Sequence, residues 1–219
     1  MYCSFFTINV TDKVFIKTKY ARIYPFDNAE PVLDVAKNII VTYIDVNNKE
    51  INLKPLICDL PYPSTDTLTK DIRSGNIISF AYATLKGELT ATLQYVYHHF
   101  FFDSIDETDS EILMAIAKAE MMHIDILGKA MLRLGVNPRY VQCPNTNVFF
   151  NTSTVSQATS AQKMLMDDIQ GEMTAIADYQ KMLFVLKNEQ VEAIIQRIIL
   201  DEQLHLEKLK EMLAKYANK

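Results

Sequence analysis

The chain has 219 residues, 49% of them hydrophobic, and a formal net charge of −5. This composition supplies a packed core, excludes disorder of the whole chain and argues against a nucleic-acid-binding protein, which would present a basic surface. No run of about 18 apolar residues predicts a membrane helix, the N-terminus does not read as a secretory signal, and the three scattered cysteines fit no disulfide framework, so we expect a cytoplasmic protein.

Residues 1–63 predict a small β-rich module. We predict a strand at residues 14–24 and a short helix at residues 31–38. A hairpin is predicted from residues 38–46 paired with residues 51–57. Pro61 and Pro63 indicate a linker to a second domain, residues 64–219. Because the module carries no set of ligands or catalytic residues, we expect it to mediate contacts between subunits.

The sequence of the second domain predicts a mainly α fold, a four-helix bundle. Helix-forming residues dominate it, and the predicted helices span residues 67–101, 109–134, 160–187 and 190–216. The first and third connections are short, which indicates two antiparallel hairpins. The middle connection, about 136–158, is long enough to run the length of the bundle as a crossover.

Local signals support the predicted helix ends. Thr108 and Thr159 each stand three residues before Glu or Gln, as in a capping box. Asn188 is a suitable N-cap for the last helix, and Gly135 is suited to end the second.

Each predicted helix carries a glutamate near the middle of its buried stripe. In every predicted helix, the residues along this stripe, spaced three and four apart, are mostly apolar except near the glutamate. In the second and fourth helices the glutamate begins a Glu-x-x-His motif. The residues concerned are Glu88, Glu120, His123, Glu172, Glu202 and His205.

The two hairpins also repeat in sequence. GELTATLQY (87–95) and GEMTAIADY (171–179) share Gly, Glu, Thr, Ala and Tyr at equivalent positions. Packed about a pseudo-twofold axis, the hairpins would bring all six residues to one place. The alternative, charges on solvated helix surfaces, does not explain two matched Glu-x-x-His pairs on a buried face. Four buried carboxylates are costly unless compensated, and two divalent cations would balance their charge.

This pattern resembles the ferritin-like dimetal-carboxylate superfamily, whose bundles place Glu on two helices and Glu-x-x-His on the other two. Within it, the sequence is most similar to bacterial rubrerythrin-like and manganese-catalase-like proteins, through ELTATLQYVYHHF (88–100), LGVNPRY (134–140) and IILDEQLH (198–205). The chain lacks the Cys-x-x-Cys pairs of a rubredoxin module, so any electron donor would be another protein. The β-rich extension argues against a ferritin storage shell.

The resemblance implies two Fe or two Mn ions per chain. Glu120 and Glu202 would bridge or chelate them, and Glu88 and Glu172 would be terminal ligands. His123 and His205 would each bind one metal.

The resemblance also implies residues that act around the metals. Asp201 would accept a hydrogen bond from His123, and its counterpart Ala119 cannot do the same, so the two metal positions should differ. Tyr95 and Tyr179 would hydrogen-bond to ligands or carry an oxidising equivalent, with simple packing as the alternative. For His98 and His99, near a predicted helix end, we favour interface or surface roles.

These observations lead to three functional hypotheses. The first is a rubrerythrin-like peroxidase or ferroxidase that acts on hydrogen peroxide or dioxygen in oxidative stress, as a homo-oligomer supplied by an external electron-donor protein. The second is a manganese catalase, which needs no donor. The third is an iron-storage or structural assembly protein whose metals mainly hold the bundle together.

Overall fold

The computed structural model describes residues 54–144 and 146–216 and the backbone of four short strands. The strands are β1 (Ile16–Thr18), β2 (Ile39–Val41), β3 (Tyr43–Ile44) and β4 (Glu50–Ile51). The helices are α1 (Ile72–Tyr82), α2 (Glu88–Phe102), α3 (Glu107–Leu134), α4 (Ala161–Val185) and α5 (Glu189–Tyr216). None of the described helices is long and apolar enough to cross a membrane.

The chain divides into two compact units, Met1–Leu53 and Lys54–Lys219. In the first unit, β1 pairs antiparallel with β2, with Ile16 opposite Val41. β3 pairs antiparallel with β4, with Tyr43 opposite Ile51. The short helix predicted at residues 31–38, and the rest of the predicted β-rich module up to residue 53, lie outside the described residues.

The single long helix predicted at residues 67–101 is wrong, because the structure has two helices, α1 and α2, in its place. Thr84 closes α1 by donating its hydroxyl to the Phe80 carbonyl over 2.8 Å. The chain then turns through Gly87, where an added Cβ would overlap the carbonyl of Ala81. The break therefore occurs where only glycine fits this close approach.

The other helices form the two predicted hairpins. α2 packs along α3, and α4 packs along α5. The connection from α3 to α4 follows the bundle, since Gln142 accepts from the Leu85 amide and Ser156 donates its amide to Gln94. At the far end Gln162 of α4 donates to the carbonyl of Tyr216. This confirms the predicted crossover.

The helix ends match the sequence signals only in part. Asn188 accepts from the Val191 amide over 3.3 Å, and Gly135 ends α3 with φ = 86°, so both predictions are confirmed. The capping box predicted at Thr108 is wrong, because α3 begins earlier and Asp106 accepts from the Asp109 amide over 3.1 Å. The box at Thr159 is also wrong, because Ser160 occupies the N-cap position and makes no side-chain bond there.

The core of the bundle consists of two apolar clusters. One lies at the end formed by α1 and the start of α5, and includes Ile78, Leu127 and Ile195. The other lies at the end formed by the start of α3 and the end of α5, and includes Phe102, Leu113 and Leu209. The helix segments between the two clusters carry the buried glutamates and histidines.

Candidate metal centre

The structure brings the six predicted ligand residues together in the middle of the bundle. α2 contributes Glu88, α3 contributes Glu120 and His123, α4 contributes Glu172, and α5 contributes Glu202 and His205. Each of them is at most 4% exposed. Their helical spacing places them on the inner face of each helix, as the stripe pattern predicts.

The six residues form two overlapping groups that could each hold a metal ion. One ligand atom from each of Glu88, Glu120, His123 and Glu202 lies within 4.8 Å of the others. The second group consists of Glu120, Glu172, Glu202 and His205 and meets the same limit. Glu120 and Glu202 belong to both groups, so these two carboxylates lie between the two positions.

Each histidine directs its Nδ1 atom into this cluster. The Nδ1 of His123 lies 3.2 Å from a carboxylate oxygen of Glu120 and 3.2 Å from one of Glu202. The Nδ1 of His205 lies 3.1 Å from Glu120 and 3.3 Å from Glu202. The histidines therefore present equivalent atoms to the shared carboxylates.

The outer nitrogens of the histidines have different partners. The Nε2 of His123 lies 3.3 Å from a carboxylate oxygen of Asp201. The Nε2 of His205 donates to the carbonyl oxygen of Leu56 over 2.8 Å. Because a carbonyl only accepts, this bond places a proton on Nε2 of His205 and leaves the lone pair of the neutral ring on Nδ1, toward the cluster. The sequence does not reveal this contact, since a backbone oxygen carries no residue signature.

Asp201 is itself held by residues before the first helix. Its carboxylate accepts from the Cys58 amide over 2.7 Å and from the hydroxyl of Tyr62. Arg197 forms an ion pair with it over 2.6 Å and donates to the carbonyls of Leu60 and Cys58 over 2.9 and 2.8 Å. Residues 56–62, which we call the histidine strap, thus bond directly to His205 and hold the Asp201 carboxylate that faces His123.

Two tyrosines bond to glutamates across the hairpins. Tyr95 of α2 donates its hydroxyl to Glu172 of α4. Tyr179 of α4 donates its hydroxyl to Glu88 of α2. Both tyrosines are 2% exposed. The sequence repeat is therefore visible as a reciprocal pair of contacts between the two hairpins.

Burial and mutual charge set the protonation of the cluster without metal. Burial, together with repulsion from Glu202 and Glu120, raises the pKa of Glu88 and of Glu172 well above the usual range. Burial alone would lower the pKa of His123 and His205, but the surrounding carboxylates raise both well above the usual value. Burial opposes ionisation of Glu120 and Glu202 too, yet the neighbouring histidines lower their pKa overall.

The donor set fits divalent metal ions. Glu120 Oε1, Glu202 Oε1 and His205 Nδ1 are buried and have no hydrogen-bond partner within residues 54–144 and 146–216, although His205 Nδ1 lies 3.1 Å from Glu120 Oε1. These atoms converge on a common space, as ligands do, and are not aligned to bond with one another. Carboxylate and imidazole ligands suit manganese and iron better than softer metals.

A cleft of about 1160 Å³ leads from the surface to the cluster. It lies between α2 and α4 and is bordered by the α3–α4 connection. The carboxylates of Glu88, Glu120, Glu172 and Glu202 all line it. Small molecules can therefore reach the carboxylates from this side.

The surface role favoured for His98 is wrong, because His98 is fully buried. Its Nδ1 lies 2.8 Å from the carboxylate of Asp168, which is also buried, and its Nε2 has no hydrogen-bond partner among the described residues. His99 is half-buried, and its Nδ1 bonds to Ser110. The sequence pattern missed the His98–Asp168 pair because its members are 70 residues apart.

Comparisons with known proteins agree on the fold. A family model described as "Ferritin-like domain" matches residues 82–218. A manganese catalase from Anabaena, KatB, superposes with a TM-score of 0.65 at 17% identity, covering 73% of this chain and 79% of its own. A bacterioferritin from Rhodobacter capsulatus superposes with a TM-score of 0.56 at 20% identity, covering 69% of this chain and 89% of its own. No curated protein matches the chain.

A third solved structure is described as a dodecameric thioferritin from Bacteroides fragilis. It superposes with a TM-score of 0.54 at 19% identity, covering 68% of this chain and 90% of its own. All three identities are low, so these likenesses establish the bundle architecture alone.

Proposed function

The chain belongs to the ferritin-like domain family, and from that premise we propose that it is a non-haem dimetal redox protein acting on hydrogen peroxide or dioxygen, of the rubrerythrin-like peroxidase or ferroxidase type. One observation carries the proposal: two four-residue groups of buried ligands share Glu120 and Glu202. Two cations held by shared carboxylates would supply two-electron chemistry at an O–O bond.

In this proposal two Fe or two Mn ions would be held by the two groups, with Glu120 and Glu202 shared between them. Glu88 and His123 would complete one group, and Glu172 and His205 would complete the other. When bound, such a pair of ions supplies two electrons together, so that an O–O bond can be reduced without release of a radical. The surrounding chain would hold the ligands in place and limit access to the α2–α4 side.

The residues around the ligands would act mainly by orientation. Asp201 and the Leu56 carbonyl face the Nε2 atoms of the two histidines, which leaves Nδ1 directed into the cluster and available to hold a metal. The hydroxyls of Tyr95 and Tyr179 hold Glu172 and Glu88, and would also lie close enough to pass on a proton or an oxidising equivalent. We further propose a homo-oligomer, a state for which the dodecameric relative is the precedent.

A manganese catalase is the second candidate. It is favoured by the likeness to the Anabaena manganese catalase and by the direct access of the cleft to the carboxylates. In that case peroxide would be both oxidised and reduced at the same site. An iron-storage or structural role is the third candidate, in which metal would be bound without turnover.

The test begins with elemental analysis of the protein purified without added metal. We expect about two Fe or Mn ions per chain. Peroxide consumption is then followed with and without an electron donor. Oxygen evolution without donor identifies a catalase, donor-dependent consumption without oxygen identifies a peroxidase, and metal binding with no consumption in either case contradicts the redox proposal.

Two variants, one on α5 and one on α3, test the ligand assignment. Glu202→Gln should reduce binding to fewer than two ions per chain, because Glu202 belongs to both groups. His123→Ala should also lose an ion while the helical spectrum remains. Glu207→Gln, on the exposed face of α5, is the matched control for Glu202→Gln and should keep both ions. Full binding of two ions by Glu202→Gln would refute the assignment.

A further inference from the structure

Helix α4 presents an uncharged stripe along its outer face. Alternating steps of four and three residues, which keep to one side of a helix, join six exposed positions over the length of α4. We call them the outer stripe: Met166, Gln170, Met173, Ala177, Gln180 and Phe184. The three large apolar members, Met166, Met173 and Phe184, are 56%, 50% and 86% exposed. The stripe lies opposite the buried face of α4, so it takes no part in the bundle core.

The exposed faces of the neighbouring helices differ from the outer stripe. On α3, the exposed Met121 is followed at the same spacing by Asp125 and Lys129, which form an ion pair. On α5, the exposed face includes Glu207 and Lys210. Charges are normal where a helix faces water, whereas methionine and aromatic residues are enriched where proteins meet. The composition of the outer stripe therefore fits a surface that another protein covers.

The spacing of the outer stripe indicates that a helix covers it. Steps of four and three residues give the 3.5-residue repeat of helices that pack side by side. If a second copy of α4 packs antiparallel, with a twofold axis midway between Met173 and Ala177, each Met173 lies opposite the small Ala177 of the second copy. The glutamines then meet in pairs, and their amides both donate and accept. Met166 meets Phe184 at each end. The stripe is thus complementary to itself in one register.

Charges beside the stripe favour this antiparallel direction. Asp167, Thr174 and Lys181 flank it at intervals of seven residues. Asp167 and Lys181 are 14 positions apart, about 21 Å along a helix, so they cannot meet within one chain. In the antiparallel pair each Asp167 lies beside Lys181 of the second copy, and the two Thr174 side chains meet at the axis. Two matched pairs of opposite charge result from a single register.

The other flank of the stripe extends the apolar surface. Ile169, Ile176 and Leu183, again seven residues apart, are half-buried on the side toward α5. In the same register Ile176 meets its own copy, and Ile169 meets Leu183. Lys163 and Lys187 continue the spacing of the stripe beyond its two ends, so charged residues bound the uncharged run, as a polar rim bounds an interface core.

We propose that two copies of this chain associate through their α4 helices, packed antiparallel along the outer stripe. This gives a surface to the homo-oligomer proposed above and does not depend on the redox chemistry. Asp167, Thr174 and Lys181 also line the cleft that leads to the glutamates. The second copy would therefore border the mouth of the cleft, and its Lys181 would bring a positive charge to that edge.

Association of the full-length, metal-free protein is measured by sedimentation equilibrium. We expect the mass of a dimer or of an even multiple. Met173→Glu buries a charge without a partner at the centre of the interface, so the dissociation constant should rise at least about hundredfold. Met121→Glu makes the same change at a methionine of α3 that is 48% exposed, and it should leave the mass unchanged.

A charge exchange tests the antiparallel register. Asp167→Lys and Lys181→Asp each bring like charges together across the interface and should each raise the dissociation constant by about threefold to tenfold. The double variant restores opposite charges and should return the constant to near the wild-type value. Variants that only disturb α4 would not recover in this way, and circular dichroism of each variant confirms that the helices remain.

Three results would each overturn the proposal. They are a monomeric wild-type protein, an unchanged mass of Met173→Glu, and absence of recovery in the double variant. Metal content, measured on the same samples, separates this outcome from failure of the proposed function. A monomer that binds two ions refutes the interface alone, and a dimer that binds none refutes the metal site alone.

Discussion

Leu56 and His205 are joined by a hydrogen bond of 2.8 Å between a backbone carbonyl and a ring nitrogen, across 149 positions of the chain. The bond orients one of the two histidines of the proposed metal site. The other histidine, His123, faces the carboxylate of Asp201 over 3.3 Å. Both histidines therefore direct Nδ1 into the cluster, but their outer nitrogens have different partners.

Removal of the histidine strap should weaken the metal site. The sequence leads us to expect that a protein beginning at Ser64 keeps its site, but this truncation removes the Leu56 carbonyl and the contacts of Cys58 and Tyr62 with Asp201. We now expect a loss of about tenfold to hundredfold in metal affinity, the range for groups that orient ligands. A protein beginning at Lys54 is the matched control and should bind two ions normally. Equal affinities of the two proteins in a metal titration would contradict this prediction.

Asp201→Asn should weaken the metal position that contains His123. An amide is a poorer acceptor for the ring N–H than a carboxylate, so the histidine loses basicity and orientation. We expect about a tenfold to hundredfold loss at that position, with little change at the other. The measurement is a two-site calorimetric titration. Asp125→Asn, at an exposed residue of α3, is the control, and an unchanged titration of Asp201→Asn would show that the difference between the histidines has no energetic effect.

Metal binding should become tighter as the pH rises. Without metal, burial and mutual repulsion raise the pKa of Glu88 and Glu172, and the carboxylates raise the pKa of both histidines, so each of these four groups binds a proton more tightly than it would in water. The cations must displace these protons, and low pH opposes displacement.

Proton release can be counted directly. Titrations in buffers of different ionisation enthalpy should show that protons are released when two ions bind at neutral pH. Glu88→Gln removes one of the groups whose pKa is raised, so metal binding by this variant should release fewer protons than metal binding by the wild-type protein. Binding that releases no protons at neutral pH would refute the protonation pattern described for the cluster.

Gly87 and Gly171 occupy equivalent positions of the repeat but should respond in opposite directions to alanine. At Gly87 the new Cβ would overlap the Ala81 carbonyl, so we expect the free energy of unfolding to fall by about 1–3 kcal/mol. At Gly171 the space is open, so the higher helix propensity of alanine should raise the free energy of unfolding by up to about 1 kcal/mol. Urea denaturation of the two variants measures both effects, and similar losses in both would contradict the explanation of the helix break.

The sequence determined most of the bundle and the composition of its centre. Helical spacing of apolar residues predicted which faces are buried, and the Glu and Glu-x-x-His positions on those faces predicted which side chains meet. Connection lengths predicted the crossover, because antiparallel hairpins need short links and a parallel return needs a long one. These features depend on local periodicity, which can be read directly from the chain.

Only the tertiary structure decided the features that depend on distant contacts. The break between α1 and α2 follows from a backbone approach at Gly87, although the residues on both sides are helix formers. His98 is buried because α4 brings Asp168 to it. The Leu56 carbonyl becomes part of the site because the chain before α1 lies against α5, and a backbone oxygen is the same in every residue, so its role is set by position alone.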